Sequence, residues 1–309
     1  MNDLSKINKM NVYLNVEISS RELDSKLLLA VLAAARGHQV VISSTEIIEK
    51  GLNKGWLPPG IFHTKSLTPG KSKIKRHQNI IEHKNFIGGR YSVLSEVGML
   101  PSELMGLSSN KFKKFDKLIC NKNFVDSLLT NVNSIFYLIK RKKTNSIILN
   151  YDDSSCTFFK WYQQLVAESL GKKSSGILPI ISEMPKDNHS LMQLYLDGNK
   201  NSFFTFFDVK NYDSPKIKKK KIFINYKYLK KHDLFSIKSA QKKATINVFK
   251  AKGIPFRTFE VLKKNEETLG ELFTFFMLET ILLGKMLKIN PYDQPSVELI
   301  KKETKKILI

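Results

Sequence analysis

Residues 146–181 contain three consecutive segments that decide the fold class: SIILNY at 146–151, TFFKWYQQLVAESL at 157–170 and GILPII at 176–181. The first is an apolar run that is typical of a buried strand. The second has the length and apolar periodicity of a helix, and Gly171 fits the position that ends it. The third predicts another strand. This strand–helix–strand order is typical of a parallel sheet.

The alternation of helix and strand patterns continues on both sides of this unit. We predict helices at 92–107, 123–140, 189–196, 235–252, 268–287 and 295–309, and strands at 202–208 and 221–225. Because strands that alternate with helices form parallel sheets, the sequence predicts an α/β domain with a mostly parallel sheet that is flanked by helices on both faces.

A partial Rossmann-like α/β unit is predicted near the N-terminus. Residues 11–18 alternate apolar and polar side chains as a strand does, and residues 39–43 predict a second strand. Between them, Ser19–Glu22 (SSRE) matches a capping box. Leu23–Arg36 is rich in alanine and leucine and predicts the helix that joins the two strands.

The segment 51–85 contains glycines and prolines that would break any long element. Its triplet Gly70-Lys71-Ser72 is similar to the end of a phosphate-binding P-loop. A P-loop has another glycine five residues earlier, where this chain has Lys65, and no strand leads directly into the triplet. We therefore expect no P-loop here.

The formal net charge of +23 raises the question of an anionic partner: nucleic acid, a membrane surface or a phosphorylated metabolite. Only six of the 51 basic residues are arginines, whereas nucleic-acid-binding proteins favour arginine for bidentate contacts to phosphate and guanine. We attribute most of the charge to a lysine-rich composition and expect no nucleic-acid partner.

Neither a membrane span nor a secretion signal is expected from the sequence. We find no uncharged apolar run of about 18 residues, and the first ten residues are polar. The two cysteines are too few for a disulfide framework. These features predict a reduced, cytoplasmic setting.

Two segments place polar side chains where they could act on a ligand. In Ile87–Ser92 (IGGRYS), two glycines allow the backbone to approach a ligand closely, and Arg90 supplies a fixed cation. In the helix at 157–170, Gln164 and Glu168 are four residues apart and share one face. Glu168 lies in the last turn, where the helix dipole disfavours a negative charge. That environment suits a base that takes and returns a carbon-bound proton.

A histidine in a third segment is a further candidate. Asp187 or Asn188 could cap a helix and so place His189 in its first turn. The positive end of the helix dipole there favours a neutral imidazole, which is suited to proton exchange with a sugar ring oxygen.

The fourth segment lies close to the C-terminus. Pro295 fits the first position of the last predicted helix. Gln294, Val297 and Lys301 follow one another at spacings of three and four, so they share one side of that helix.

Together these four segments resemble the glucose-6-phosphate isomerase family over residues 86–309. The similar strings are GGRYSVLSEVG at 88–98, QQLVAESLGK at 163–172, ILPIISEMPKDNHSLMQLYLDG at 177–198 and NPYDQPSVELIK at 290–301. One departure is Ser296, where the family usually has glycine. The resemblance implies a sugar-isomerase (SIS-like) α/β domain.

The resemblance also implies an activity, the interconversion of D-glucose 6-phosphate and D-fructose 6-phosphate through a cis-enediol. It implies Glu168 as the base and Arg90 as the group that stabilises the developing oxyanion, while His189 and Lys301 assist opening of the sugar ring. The substrate contacts that it implies are Gly89, Gln164 and Gln294. It implies no metal and no organic cofactor. The partners implied are a phosphorylated hexose and a second subunit, because His189 would act in the active site of its neighbour in a homodimer.

Residues 1–82 resemble a different group of proteins. The strings NVEISSRELDSKLLLAVLAAARGHQVVI at 15–42 and PPGIFHTKSLTPGKS at 58–72 are similar to the opening of surface-carbohydrate biosynthesis proteins. We therefore predict a partial α/β unit at 1–82 and the C-terminal part of the isomerase at 83–309. The family's first sugar-isomerase domain, whose glycine-rich and Ser/Thr-rich loops hold the phosphate, is expected to be missing. The nearest candidate for such a loop is Ser43–Thr45.

Three functions stay open from the sequence. The first is the isomerase itself. The second is a catalytically incomplete fusion or remnant that only binds phosphosugars, because the expected phosphate loops are missing. The third is a carbohydrate-biosynthesis module, which would bind a nucleotide sugar near Ser19–Glu22.

Overall fold

The structure, a computed structural model, describes residues 9–64, 84, 86–210, 228–229 and 232–308. The strands are β1 (Asn11–Asn15), β2 (Gln39–Ser43), β3 (Ile61–His63), β4 (Asn145–Asn150), β5 (Leu178–Glu183), β6 (Ser202–Val209) and β7 (Phe256–Val261). The helices are α1 (Ser19–Ala35), α2 (Thr45–Asn53), α3 (Glu96–Leu104), α4 (Ser109–Phe112), α5 (Phe115–Ile119), α6 (Lys122–Lys140), α7 (Cys156–Leu170), α8 (Met192–Asp197), α9 (Leu234–Ala251), α10 (Glu266–Met286) and α11 (Pro295–Leu308).

The chain forms two compact units, an N-terminal unit over Met1–Lys114 and a C-terminal unit over Phe115–Ile309. The predicted boundary between residues 82 and 83 and the predicted strand at 221–225 lie outside the described residues. Within the described part of the chain, no helix combines the length and the apolar character that crossing a membrane requires.

The N-terminal unit contains a parallel sheet with the order β2-β1-β3 among the described strands. Apolar side chains of β1, α1 and α3 form its core, which is aliphatic: Val12, Leu14, Leu29, Ala30, Ala33, Leu100 and Leu104. The sequence analysis did not predict β3. Gly60 brings that strand close to β1, because a Cβ atom at this position would lie 2.3 Å from the Asn11 carbonyl oxygen.

The predicted capping box at Ser19–Glu22 is wrong. Helix α1 begins at Ser19, so Ile18 occupies the N-cap position and no side chain caps the helix. The Glu22 carboxylate instead accepts a hydrogen bond of 3.2 Å from the Glu17 backbone N–H, and it lies 3.7 Å from the Lys26 ammonium group. The capping box fails because the helix already includes Ser19, which leaves Ile18, with no side-chain oxygen, at the N-cap position.

The helix predicted at 92–107 is divided in two. Residues 89–94 form a 3-10 turn, and α3 begins only after Ser95, which has an extended backbone and caps the new helix. Gly98 makes the close junction possible, because a Cβ atom there would lie 2.0 Å from the Val93 carbonyl oxygen.

The C-terminal unit contains a four-stranded sheet among the described strands, in the order β5-β4-β6-β7 and parallel throughout. Helices α8 and α9 cover one face, where Phe204 and Phe206 pack against Phe249. Helix α7 covers the opposite face, where Phe159 meets Phe207 with ring centroids 4.8 Å apart. The predicted α/β fold with helices on both faces of a mostly parallel sheet is confirmed, although β7 was not predicted.

A buried ion pair ties several elements of this unit together. The guanidinium group of Arg257 in β7 pairs with both carboxylate oxygens of Glu279 in α10. It also donates to the Thr205 hydroxyl at 2.9 Å and to the Asn131 side-chain oxygen at 3.3 Å. Because Glu279 is 1% exposed, this pair is part of the core and not a surface contact.

Candidate active site

Helix α7 carries the predicted base. One face of the helix is buried through Phe159, Tyr162, Leu165 and Val166. On the outer side, the Gln164 amide donates a hydrogen bond of 3.0 Å to the Glu168 carboxylate, so these two predicted site residues lie together. The neighbouring Gln163 amide donates to the Pro179 carbonyl oxygen of β5 at 2.9 Å and thereby fixes the helix to the sheet.

Lys172 links the segment that contains Glu168 to the segment at 290–301. Its ammonium group lies 2.7 Å from the Asp293 carboxylate and donates a hydrogen bond of 2.5 Å to the Asn290 carbonyl oxygen. Two segments that are 118 residues apart in sequence at this contact therefore meet in the folded C-terminal unit. The sequence analysis quoted Lys172, Asn290 and Asp293 within the motifs but assigned none of them a role.

The segment at 290–301 begins as a loop and continues as α11. Pro295 is the first residue of the helix, as predicted. Gln294 immediately precedes it and is half-buried. Lys301 lies within α11, and its side chain is outside the described part of the structure.

The predicted position of His189 in the first turn of a helix is wrong. Residues 186–188 form a 3-10 turn, His189 follows that turn, and α8 begins only at Met192. Asp187 does not cap a helix, because its carboxylate turns back to the end of β5. There it accepts hydrogen bonds from the Ser182 hydroxyl at 2.8 Å and the Glu183 backbone N–H at 2.7 Å.

Asp187 fixes the loop that carries His189. Its second carboxylate oxygen accepts a hydrogen bond of 2.9 Å from the Ser190 hydroxyl. Burial by itself would raise the pKa of Asp187, but the hydrogen bonds from Ser182 and Ser190 outweigh it and lower the pKa below its usual value of 3.8. The carboxylate is therefore ionised at neutral pH, while the His189 side chain is exposed.

Gly89 and Arg90 lie in the N-terminal unit, whereas the other five predicted site residues lie in the C-terminal unit. Arg90 is 3% exposed, and its guanidinium carbon lies 5.3 Å from the centre of the Tyr91 ring. A Cβ atom built on Gly89 would meet none of the described atoms within 4 Å, so there is open space beside this glycine.

A polar loop at the end of β4 was missed by the sequence analysis. Asp152 accepts hydrogen bonds from the hydroxyl groups of Ser154 and Ser155 at 2.9 and 2.5 Å, and it pairs with Lys264 at 3.0 Å. Burial would raise the pKa of Asp152, but the hydrogen bond from Ser155 and the nearby Lys264 lower it overall. Serine and aspartate in a loop predict a turn equally well, so the sequence carried no signal for this network.

A separate cleft of about 280 Å³ lies between α9 and the ends of β6 and β7. Its lining residues are Asp208, Lys210, Phe235, Ser239, Lys242, Lys243, Ile246 and Glu260. None of the predicted site residues lines it. Among the described residues, no three His, Cys, Asp or Glu side chains lie close enough together to hold a metal ion.

Comparisons with known proteins identify the family of the chain. The family model for phosphoglucose isomerase matches residues 68–309. The probable glucose-6-phosphate isomerase of Methanococcus maripaludis is 34% identical over 252 residues, which cover 78% of this chain and 56% of that protein. The chain therefore spans little more than half the length of this relative.

Two further comparisons extend over nearly the whole chain. The glucose-6-phosphate isomerase of Mycoplasmopsis pulmonis is 32% identical over 312 residues, which cover 99% of this chain and 69% of that protein. The crystal structure of a glucose-6-phosphate isomerase from Chlamydia trachomatis is 13% identical with a TM-score of 0.60, and the match covers 99% of this chain and 71% of that one. The structural match shows the same fold, and the sequence matches show the descent: this chain belongs to the phosphoglucose isomerase family.

Proposed function

We propose that the chain acts as a glucose-6-phosphate isomerase, an aldose–ketose isomerase with a phosphorylated hexose as its substrate. The observation that carries the proposal is the link through Lys172, which joins the helix of Glu168 to the loop before Gln294. The proposed base Glu168, the amide of Gln294 and the helix that contains Lys301 then belong to one part of the C-terminal unit. Names of relatives at 32–34% identity support the same activity.

The proposed reaction moves one proton along the sugar. His189 and Lys301 assist opening of the pyranose ring, which exposes the C1 aldehyde. The Glu168 carboxylate removes the proton from C2, and the electron pair forms a C1–C2 double bond while the charge moves onto O1. Arg90 stabilises this oxyanion, and Gln164 holds the Glu168 carboxylate in position through their hydrogen bond of 3.0 Å.

The second half of the reaction returns the proton. The protonated Glu168 delivers it to C1, while O1 gains a proton and the O2 hydroxyl loses one, so that a C2 ketone is left. The sum is the transfer of hydrogen from C2 and O2 to C1 and O1, which balances without an added oxidant or reductant. The proposal therefore assigns no step to a metal or an organic cofactor.

The proposal includes a homodimer in a cytoplasmic setting. The His189 side chain is exposed on its loop, and Asp187 fixes that loop by three hydrogen bonds. An exposed but well-positioned imidazole suits a residue that acts in the site of a neighbouring subunit.

The experiment that tests the proposal is a coupled isomerase assay on the purified full chain. Glu168→Gln keeps the size of the side chain and its hydrogen bonding to Gln164 but removes the base. We expect kcat to fall at least about 100-fold, because general base catalysis contributes that much or more. The matched control is Glu303→Gln, which changes an exposed glutamate of α11. Equal activity in wild type and Glu168→Gln would end the proposal.

A second candidate function is phosphosugar binding without turnover. The sequence analysis left this function open because it found no phosphate-binding loop in residues 1–85. Calorimetry with 6-phosphogluconate distinguishes the two: heat of binding in a chain without isomerase activity would support this function. The resemblance of residues 1–82 to surface-carbohydrate biosynthesis proteins stays a prediction, and binding of a nucleotide sugar near Ser19–Glu22 would test it.

A further inference from the structure

Lys172, Asn290 and Asp293 form a closed triangle of polar contacts. The Lys172 ammonium group contacts the Asn290 carbonyl oxygen at 2.5 Å and one Asp293 carboxylate oxygen at 2.7 Å. The other Asp293 oxygen accepts a hydrogen bond of 3.1 Å from the Asn290 side-chain amide. The Asn290 side-chain oxygen in turn accepts from the Tyr292 backbone N–H at 3.1 Å. The loop at 290–293 is thus held at both ends.

The lysine is the more buried member of its ion pair with Asp293. Its side chain is 11% exposed, whereas that of Asp293 is 51% exposed. A lysine that is mostly shielded from water and bonded to a carbonyl oxygen contributes more than an ordinary surface ion pair. Pro291 supports the loop from the other side, since a Cβ atom on Gly284 of α10 would lie 3.1 Å from the Pro291 Cβ.

The residues of the triangle are close in sequence to the proposed site residues Glu168 and Gln294. Lys172 comes four residues after Glu168 and directly follows Gly171, at which α7 ends. Asp293 directly precedes Gln294, and α11 begins one residue later. The triangle therefore fixes the end of the helix that carries the proposed base to the start of the helix that contains Lys301.

We propose that Lys172 is a positioning residue for the isomerase reaction: it sets the distance between Glu168 and the Gln294–Lys301 segment without touching the sugar. This inference rests on the proposed function. Loss of the anchor would let the two segments drift apart, and a displacement of about 1 Å can cost a reaction about 100-fold in rate.

The test uses the full chain with Lys172→Ala, Lys172→Arg and the matched control Lys306→Ala. Lys306 forms an exposed ion pair with Glu303 in α11 and lies outside the triangle. For Lys172→Ala we expect kcat to fall about 10- to 100-fold, with KM changed less than about threefold. Lys172→Arg, which restores a cation of similar length, should recover most of the rate. Lys306→Ala should match wild type.

Hydrogen exchange of the backbone amides at 290–300 gives a readout that does not depend on activity. We expect faster exchange there in Lys172→Ala than in wild type and in Lys306→Ala. Unchanged exchange in Lys172→Ala would overturn the inference, as would a KM effect without a kcat effect. If wild type shows no isomerase activity, the proposed function fails, and the exchange result still decides whether Lys172 anchors the loop.

Discussion

In each of the two units, a central strand ends in a buried asparagine, but the two asparagine side chains bond to different parts of their units. β1 lies between β2 and β3, and β4 lies between β5 and β6. Each of the two strands ends in a buried asparagine: Asn15 is 0% exposed and Asn150 is 1% exposed. In both cases a polar side chain closes the carboxyl edge of a parallel sheet, where ligands of α/β proteins bind.

In the N-terminal unit, the asparagine connects several elements. The Asn15 amide donates to the Thr45 hydroxyl of α2 at 2.7 Å, and the Lys26 ammonium group of α1 donates to the Asn15 carbonyl oxygen. In the C-terminal unit, the Asn150 side chain bonds to groups within six residues of it, namely the backbone of Asp152 at 2.9 and 3.1 Å and the Cys156 sulfur at 3.5 Å. The Asn15 side chain thus joins β1 to α2, whereas the Asn150 side chain shapes the loop that follows β4.

The cores of the two units also differ in composition. The N-terminal core is made of valine, leucine and alanine. The C-terminal core contains a network of Phe and Tyr rings, and it encloses the Arg257–Glu279 pair. Large aromatic side chains bury more area each than aliphatic ones. Lys172 and Asp187 hold two of the family segments in place. Both segments belong to the C-terminal unit, which has the more aromatic core.

The largest effect we expect comes from breaking the buried ion pair of the C-terminal unit. Glu279→Leu would leave the Arg257 guanidinium group charged and without its carboxylate partner. Removal of one member of a buried pair costs about 3–5 kcal/mol, and we expect a loss of this size in the free energy of unfolding. Urea denaturation of the full chain measures it.

The double variant Arg257→Met/Glu279→Leu is the matched control. Replacing both charges by apolar side chains of similar volume is often neutral or stabilising, so we expect the double variant to be far more stable than Glu279→Leu. If the single and double variants were equally unstable, the pair would not be the element that distinguishes this core.

The buried pair also shows where sequence reasoning reached its limit for the fold. The segments that became β4, α7 and β5 were predicted because their apolar patterns are continuous and local. β7 was missed, since Arg257 and Glu260 suggest an exposed segment until the partner of Arg257 in α10 is known. β3 was missed because its three residues follow Pro58, Pro59 and Gly60, which predict only a turn.

The candidate site shows the same limit. Gln164 and Glu168 could be placed on one face because helix periodicity is local, and their hydrogen bond confirms the placement. Lys172 could not be assigned a role, because its partners lie far away in sequence. The helix position predicted for His189 is wrong because Asp187 makes other hydrogen bonds than those of a helix cap. Its carboxylate accepts from the Ser182 hydroxyl and the Glu183 N–H.

A smaller effect is expected from Gly98→Ala, which tests how tightly the N-terminal unit is packed. The new methyl group would lie 2.0 Å from the Val93 carbonyl oxygen, so the backbone would have to move. Overpacking of this kind costs about 1–3 kcal/mol. Thermal unfolding should show the loss, while the control Gly89→Ala, with no described atom within 4 Å of its Cβ, should melt close to wild type. Equal melting temperatures for the two variants would contradict the tight packing.

The smallest effect concerns pH and the polar edge of the N-terminal sheet. The Nδ1 atom of His63 in β3 is buried and has no hydrogen-bond partner among the described residues. Burial, and next the positive charge of Lys26, lower the pKa of His63 below its usual value of 6.5. The folded state therefore favours the neutral imidazole, whereas the unfolded chain takes up a proton near pH 6.5.

The sign of the pH dependence follows from this difference. The contribution of His63 to stability is fully present above pH 6.5 and is lost as the pH falls through the lower pKa of the folded state. We expect the β1 amides at 11–15 to be less protected from hydrogen exchange at pH 5.5 than at pH 7.5, after correction for intrinsic exchange rates. His63→Gln, which cannot titrate, should lose less protection over that range. If both proteins lost protection equally, His63 would not be the titrating group, and another group would cause the pH dependence of this sheet edge.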